Sequence, residues 1–261
     1  MKVKELLDYL LDLYPLDLSM PFDQGKLGLQ IGSINNPISK VILTLDVTES
    51  VIEEAIVKGA NVIISHHPFI FEPLLQINYD SSLGQKIKKL LTHNLNVINL
   101  HTNLDVASDG MNDFLAKRLG LTEIEPLEIK SSNQVLRAGL VEPQTLALFV
   151  QRVQKAFNEE VVRYVGNPSQ IISKVGIVGG SGGTEINEAI FLGCHCFITG
   201  EIKHHSALMA QEKQIALIEV SHSVEALYLS YLKEKLNQAF PGLSVHITET
   251  PANPFRFSYP K

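Results

Sequence analysis

The sequence predicts an α/β fold made of two duplicated halves, each with a small, mostly parallel sheet covered by helices. Two observations predict it. Short apolar runs typical of buried strands alternate with segments of helical periodicity, the order found in parallel α/β sheets. In addition, the tetrapeptide Ile-Ser-Lys-Val at 38–41 recurs at 172–175, a shift of 134 positions, and the same shift brings Glu54-Ala55 onto Glu188-Ala189. Self-similarity over this distance is too long for a solenoid and indicates a duplicated unit.

The first half alternates strands and helices. Its first helix begins at about Thr48 and ends at Gly59, because glycine adopts the left-handed conformation that commonly closes a helix. The second helix begins near Ser82, which has capping-box spacing to Gln85. The predicted strands cover 41–45, 61–65 and 96–100, and a third helix covers 110–119 before Gly120.

The second half repeats this order. Strands are predicted at 175–178, 196–199 and 215–220, and helices at 185–192, 204–212 and 224–238. The polar segment Leu121–Asn133, with a proline and paired serines, is the predicted linker. We therefore expect one repeat over 1–125 and a second over 126–261, with halves that can interlock.

The amino-acid composition favours an ordinary globular protein over a membrane or nucleic-acid-binding protein. The 261 residues are 45% hydrophobic and 19% charged, as in ordinary soluble proteins. No apolar stretch approaches the roughly 20 residues of a membrane span, and the acidic N-terminal segment does not resemble a signal peptide. A net charge of −6 argues against nucleic acid as a partner. Cys194 and Cys196 are interpreted as buried strand residues, and so few cysteines favour a cytoplasmic location.

Histidines and carboxylates follow three of the predicted strands. His66 and His67 come directly after the strand at 61–65, and His101 with Asp105 follows the strand at 96–100. In the second half, His222-Ser-Val-Glu225 follows the strand at 215–220. Because the carboxyl ends of parallel strands meet at one sheet edge, where ligands bind, these groups predict a metal site.

The residue types suit a pair of metal ions. Imidazole nitrogen favours zinc, iron, copper or nickel, and carboxylates supply the negative charge that lets two dications lie on the order of 4 Å apart. Each histidine alone is more often a surface or capping residue, so the prediction depends on the clusters occurring together.

Two nearby segments have open interpretations. Glu201, His204 and His205 are candidates for residues that support the ligands, contact substrate or act as general acid or base, and they could equally be a polar helix start. The loop Gly179-Gly-Ser-Gly-Gly183 could hold an anion through its backbone N–H groups. It lacks the Lys-Ser/Thr of a nucleotide-binding P-loop, so a tight turn lining the site is the safer interpretation.

These motifs resemble those of the GTP cyclohydrolase I type 2 homologue family, also called NIF-three-like proteins. The resemblance covers essentially the whole chain, in a short form without an inserted middle domain. It is carried by Ser-His-His-Pro-Phe-Ile-Phe at 65–71, His-Thr-Asn-Leu-Asp at 101–105, Thr-Gly-Glu-Ile-Lys-His-His at 199–205 and Ser-His-Ser-Val-Glu at 221–225. Two positions depart from the pattern: the loop at 22–28, which usually begins Trp-Asp-Asn, and Ser221, usually glycine.

The resemblance implies two intertwined α/β repeats, a ring-shaped homohexamer and a dinuclear metal centre in the cleft between the repeats. It implies two divalent ions, with zinc, iron, manganese and nickel all compatible. The implied ligands are His66, His67, Asp105, His222 and Glu225, with Glu225 as the bridge. His101 belongs to the motif, and whether it is a ligand is left open.

Two functions are compatible with this set. One is a metal-dependent hydrolase of a nucleotide or another phosphoester-like small molecule, which the family label describes as a GTP cyclohydrolase. The other is a non-catalytic, metal-stabilised oligomer that binds protein partners. Metal and fold do not identify the substrate.

Overall fold

The computed structural model describes residues 1–126 and 134–258 of the chain. Within them the chain forms two compact units, one containing Met1–Leu104 with the chain from Leu229 onward, and the other Asp105–Tyr228. The helices are α1 (Val3–Leu13), α2 (Glu49–Lys58), α3 (Ser82–Thr92), α4 (Thr102–Val106), α5 (Met111–Arg118), α6 (Leu146–Phe157), α7 (Ile186–Phe191), α8 (His204–Glu212) and α9 (Tyr228–Ala239). The strands are β1 (Gly28–Ile31), β2 (Lys40–Thr44), β3 (Val62–Ser65), β4 (Asn96–Asn99), β5 (Thr122–Pro126), β6 (Arg137–Thr145), β7 (Arg163–Val165), β8 (Ile171–Ile177), β9 (Cys196–Thr199), β10 (Ala216–Glu219) and β11 (Ser244–Ile247).

The first unit is built on a five-stranded sheet with the order β1-β4-β3-β2-β11. β4, β3, β2 and β11 run parallel, and β1 is an antiparallel edge strand. Residues of β3 and β4 are buried throughout, as expected for parallel strands. The apolar faces of α2 and α3 pack in one cluster with Ile42 and Ile63 of the sheet. This packing fixes the carboxyl ends of β3 and β4, where the histidines follow.

The second unit is built on a six-stranded sheet with the order β5-β6-β8-β9-β10-β7. Its three central strands, β8, β9 and β10, are parallel, while the outer strands pair antiparallel. Both units are therefore mixed α/β sheets with a parallel centre, which confirms the predicted fold class. No helix within the described ranges has both the length and the apolar character to cross a membrane.

Strand pairing shows the duplication directly. Val41 of β2 pairs with Val62 of β3, and Val175 of β8 pairs with Cys196 of β9. The two pairs are related by the same shift of 134 positions that relates the sequence repeats. β11 adds the C-terminal part of the chain to the first sheet beside β2, as intertwined halves require.

The helix signals located α2 and the start of α3, whereas α1, α4 and α6 were not predicted. The Thr48 side chain caps α2 by accepting a hydrogen bond from Val51 N–H, and Gly59 ends the helix with a φ of +66°. The cap of α3 is Ser81, one residue before the serine predicted from capping-box spacing, because Ser81 Oγ accepts from Gly84 N–H.

The predicted linker is wrong in its first part. Thr122–Pro126 forms β5, which pairs antiparallel with β6. A strand of five mostly polar residues at a sheet edge has little apolar alternation to mark it. The rest of the predicted linker, 127–133, lies outside the described residues. The proposed repeat ranges, 1–125 and 126–261, stay a prediction about the duplication, which need not coincide with the compact units.

Candidate metal-binding clusters

Three histidines gather in the first unit at the carboxyl ends of two neighbouring strands. β3 and β4 pair in parallel, with Ser65 opposite Asn99, so the residues that follow each strand emerge at the same sheet edge. His66, His67 and His101, the histidine cluster, have ligand nitrogens that all lie within 4.8 Å of one another. The sequence prediction that these strand ends converge is correct for this unit.

Each imidazole of the histidine cluster is oriented by an oxygen at Nδ1. His66 Nδ1–H donates to the carbonyl of Leu100 at 3.0 Å, and His67 Nδ1–H donates to Asp46 Oδ1 at 2.8 Å. His101 Nδ1–H donates to Asp23 Oδ2 at 2.6 Å. Because these oxygens accept, the proton of each neutral ring is on Nδ1, and Nε2 carries the lone pair. This is the arrangement usual for histidines that bind metals.

Asp23 is a site residue that we did not predict, although it stands at the aspartate of the family's Trp-Asp-Asn pattern. Its side chain is completely buried, and besides His101 it accepts a hydrogen bond from Thr102 Oγ1 at 2.6 Å. Burial works to raise the pKa of Asp23, but the hydrogen bonds from His101 and Thr102 outweigh burial and hold the pKa below its usual value. Asp23 is therefore an ionised carboxylate that orients His101. It lies 78 positions away in the chain, in the loop that departs from the family pattern.

The backbone of the histidine pair is also fixed. Asn99 Nδ2 donates to the carbonyl of His66 at 2.6 Å, and Ser65 Oγ donates to the carbonyl of His67 at 2.9 Å. Asn99 and Ser65 are both buried. Polar residues at the ends of the buried strands thus hold the turn that presents His66 and His67.

A second cluster lies in the second unit and consists of Glu201, His222 and Glu225. After β10 the chain enters a 3-10 helix, His222–Leu227, which places His222 and Glu225 on one face. His222 Nε2 lies 3.2 Å from Glu225 Oε2. Two donor atoms about 2.1 Å from one tetrahedral ion would be about 3.4 Å apart, so this pair has the spacing of two ligands of a single ion.

Glu201 orients His222 as Asp23 orients His101. His222 Nδ1–H donates to Glu201 Oε1 at 2.7 Å, and this bond lowers the pKa of Glu201 from its usual value. Glu201 has a φ of +52°, which is uncommon for a residue other than glycine and places it in the turn after β9. This geometry favours the interpretation of Glu201 as a residue that supports a metal ligand.

The glycine-rich loop lies against the second cluster. Gly180 has a φ of +60°, and a Cβ placed there would overlap Oε1 of Glu225 and lie 3.3 Å from His222 Nε2. Gly179 N–H donates to Asn112 Oδ1 at 2.7 Å, and Asn112 Nδ2 in turn donates to the carbonyl of Asp105 at 3.2 Å. The loop is thus a close-fitting turn next to the carboxylate, as the more cautious interpretation of its sequence proposed.

The three remaining candidate residues, Asp105, His204 and His205, lie on two helices. Asp105 lies in α4, the short helix that begins directly after His101. His204 and His205 are exposed at the start of α8, and within the described ranges neither has a hydrogen bond or ion pair with the two clusters. Their role stays a prediction.

The cysteines do not form a catalytic site. Cys194 and Cys196 are free and buried. Burial raises the pKa of Cys194 to about 11 and that of Cys196 well above its usual value. Both thiols are therefore protonated at neutral pH and behave as small apolar residues, in agreement with the interpretation of the sequence.

Fold and side chains together define an α/β protein with histidine and carboxylate clusters able to hold a metal ion. The chain belongs to the Duf34/NIF3 (NGG1p interacting factor 3) family, whose sequence profile matches residues 1–254. A GTP cyclohydrolase 1 type 2 homolog of Clostridium acetobutylicum is 32% identical over 98% of this chain and 99% of its own length. Another from Lactococcus lactis is 30% identical over 92% of this chain and 93% of the relative.

Solved structures agree with this assignment. Staphylococcus aureus hypothetical protein SA1388 superimposes with a TM-score of 0.91 at 30% identity, covering 99% of both chains. A Bacillus cereus protein related to NIF3 gives a TM-score of 0.89 at 26% identity, again covering 99% of both chains. The family resemblance seen in the sequence is thereby confirmed over the full length of the fold.

Proposed function

We propose that this protein is a dinuclear, metal-dependent hydrolase that acts on a nucleotide or another phosphoester-like small molecule. The observation that carries the proposal is the shared state of four imidazoles. His66, His67, His101 and His222 all donate from Nδ1 to a protein oxygen. In each neutral ring the lone pair is then on Nε2, so His66, His67 and His222 can bind a metal ion through this atom, and His101 can bind one or accept a proton.

The proposed ligands of two divalent ions are His66, His67, Asp105, His222 and Glu225. Glu225 is the proposed bridge, because its carboxylate is buried and can offer one oxygen to each ion. The 3.2 Å spacing of His222 Nε2 and Glu225 Oε2 supports ligation of one of these ions by both residues. Mixed imidazole and carboxylate donors suit zinc, iron, manganese or nickel.

The chain's own residues would prepare the reaction. When bound, the two ions would lower the pKa of a coordinated water and stabilise the negative charge that develops during the reaction. Asp23 holds the His101 proton on Nδ1, so His101 Nε2 can accept a proton from the attacking water if His101 is not itself a ligand. Glu201 fixes His222 in the same way. His204 and His205 are proposed as substrate contacts or as a general acid or base, from their position in the motif at 199–205.

The names of the relatives suggest one substrate. Several are called GTP cyclohydrolase 1 type 2 homologs, which would make hydrolytic opening of the guanine ring of GTP the first reaction to test. A phosphoester is equally compatible with the donor set, because the ligands do not select the group that is attacked.

The test compares His67→Ala with His246→Ala. His246 lies in β11 and contacts Ser244 through Nε2, so it controls for the loss of an imidazole elsewhere in the first unit. We expect metal-loaded protein to turn over GTP or bis(p-nitrophenyl) phosphate, and His67→Ala to abolish turnover while the size-exclusion profile is unchanged. Absence of turnover on a broad substrate panel, with His67→Ala dissociating the assembly, would favour the second candidate.

That second candidate is a metal-stabilised oligomer, a homohexamer by family resemblance, that binds protein partners. Two observations favour it. The family description refers to an interacting factor, and the segment after the histidine pair exposes Phe71, Leu75, Ile77 and Tyr79. Several exposed apolar residues in one short segment favour a surface that binds a partner. Under either candidate we expect a cytoplasmic protein that binds neither membranes nor nucleic acid.

A further inference from the structure

A cavity of about 390 Å³ opens beside the histidine cluster, entirely within the first unit. Its volume lies in the range of small-molecule sites. His67 and Asp46 line one end, Phe69 and Val51 contribute apolar surface, and Lys86 of α3 provides a cation. His67, a proposed metal ligand, therefore lies at one end of the cavity, and the rest of the cavity extends away from it.

Lys86 is positioned for an anion. Its side chain is half-buried, with Nζ 3.5 Å from the carbonyl of Val47 and 5.4 Å from the centre of the Phe69 ring. In the part of the chain that the structure describes, Lys86 forms no ion pair. Lys89, three positions further along α3, is by contrast paired with both Glu49 and Glu53. An ammonium group oriented but not neutralised is what a pocket for an anionic ligand requires.

The opposite wall comes from the C-terminal segment Thr250–Pro254, which contributes two prolines. Glu54 of α2 anchors the start of this segment by accepting hydrogen bonds from Thr248 Oγ1 and Glu249 N–H. Lys58 completes the network, 2.9 Å from Glu54 and 2.7 Å from Glu249. The network fixes the point where this segment begins, and the two prolines restrict the backbone that follows.

We infer that this cavity is a subsite for the phosphate-bearing aromatic or heterocyclic end of a ligand. Lys86 binds the phosphate, and the flat group lies in the apolar part of the cavity, which Val47, Pro68 and Pro251 help to line. The inference rests on the proposed function only in identifying that ligand with the substrate. It adds the substrate class: a compound that reaches from His67 to a phosphate at Lys86. A mononucleotide satisfies this description.

Binding of phenyl phosphate to the full-length protein, measured by calorimetry with and without added metal, tests the subsite. We expect binding to weaken about tenfold or more in Lys86→Met, because a charge-assisted hydrogen bond is lost, and to be largely retained in Lys86→Arg. Lys88→Met is the matched control, because Lys88 is an exposed residue of the same helix, placed over Tyr79. Its affinity should stay within about twofold of wild type. Benzoate should bind more weakly than phenyl phosphate if phosphate is the preferred anion.

Three results would overturn the subsite: no measurable binding of phenyl phosphate by the wild type, equal affinity in Lys86→Met, or equal losses in Lys86→Met and Lys88→Met. Failure of the hydrolase proposal is distinguishable from these. Binding that depends on Lys86 without turnover of any phosphoester would support the subsite and contradict the hydrolase. Turnover of a phosphoester with a KM unchanged in Lys86→Met would support the hydrolase and contradict the subsite.

Discussion

The two clusters use the same chemistry but differ in how firmly the fold holds them. In the histidine cluster, His66 is 3% exposed and Asp23 is completely buried. In the second cluster, the His222 side chain is 32% exposed and its partner Glu201 is 57% exposed. Hydrogen bonds to charged groups are stronger when water is excluded. His66 and Asp23 are therefore part of the core of the first unit, whereas His222 and Glu201 lie nearer the surface, next to the buried Glu225.

The largest expected difference is in stability. We expect His66→Ala to lower the free energy of unfolding of chelator-treated protein by about 2–4 kcal/mol, because it removes a buried ring and its hydrogen bond to Leu100. His222→Ala should cost less than about 1 kcal/mol, since the ring is partly exposed. Both variants should lose metal. Denaturant unfolding measures the difference, and equal costs would contradict the contrast between the clusters.

A smaller effect is expected for Asp23→Asn. The amide can still accept a hydrogen bond from His101, but it lacks the charge that stabilises the ring, so the affinity for an ion bound through His101 should fall about 10- to 100-fold. Competition with a chromophoric chelator measures the affinity. An unchanged affinity would show that His101 is not a metal ligand.

The same variant has a pH signature. Hydrogen bonds keep the folded-state pKa of Asp23 low, so its stabilisation is complete above the unfolded pKa of about 3.9 and is lost as pH falls through the folded pKa. The wild type should therefore lose stability more steeply than Asp23→Asn between about pH 5 and pH 3. Parallel curves would mean that Asp23 is not held as an anion.

Gly180→Ala should weaken metal binding by roughly tenfold, because an alanine at positive φ costs about 1 kcal/mol and its Cβ would displace the Glu225 carboxylate. Gly183→Ala is the matched control on the same loop, since its nearest neighbour would be 3.7 Å away. If both variants bind metal equally well, the loop does not position Glu225.

The smallest effect is expected for Glu201→Gln. An exposed carboxylate partner is screened by water, so metal affinity should fall only a few-fold, well below the effect of Asp23→Asn. Chelator competition on both variants decides the order. A larger loss in Glu201→Gln would reverse the proposed difference between buried and exposed supports.

Most of the correct predictions from the sequence depend on residues that are close together in the chain. The cap at Thr48, the stop at Gly59 and the histidines after β3 and β4 all depend on residues close together in the chain. The sheet edge then follows from the parallel pairing that alternating strands and helices imply.

Contacts between distant segments were not predictable in this way. Asp23 contacts His101 across 78 positions. Its place in the family's Trp-Asp-Asn pattern marks Asp23 as a candidate, but the sequence does not show that His101 is its partner. The polar edge strand β5 lacks the apolar alternation that marks strands. Lys86 could not be predicted as a binding residue, because the cavity that it lines is formed by segments distant in the sequence, including Phe69 and the C-terminal segment.

The most direct test of the central claim is elemental analysis of protein purified without chelator, combined with anomalous scattering from its crystals. We predict two divalent ions per chain, coordinated through the Nε2 atoms of His66, His67 and His222 and the carboxylates of Asp105 and Glu225. Metal-replete crystals with only ordered solvent at these atoms, or with ions bound elsewhere, would contradict it.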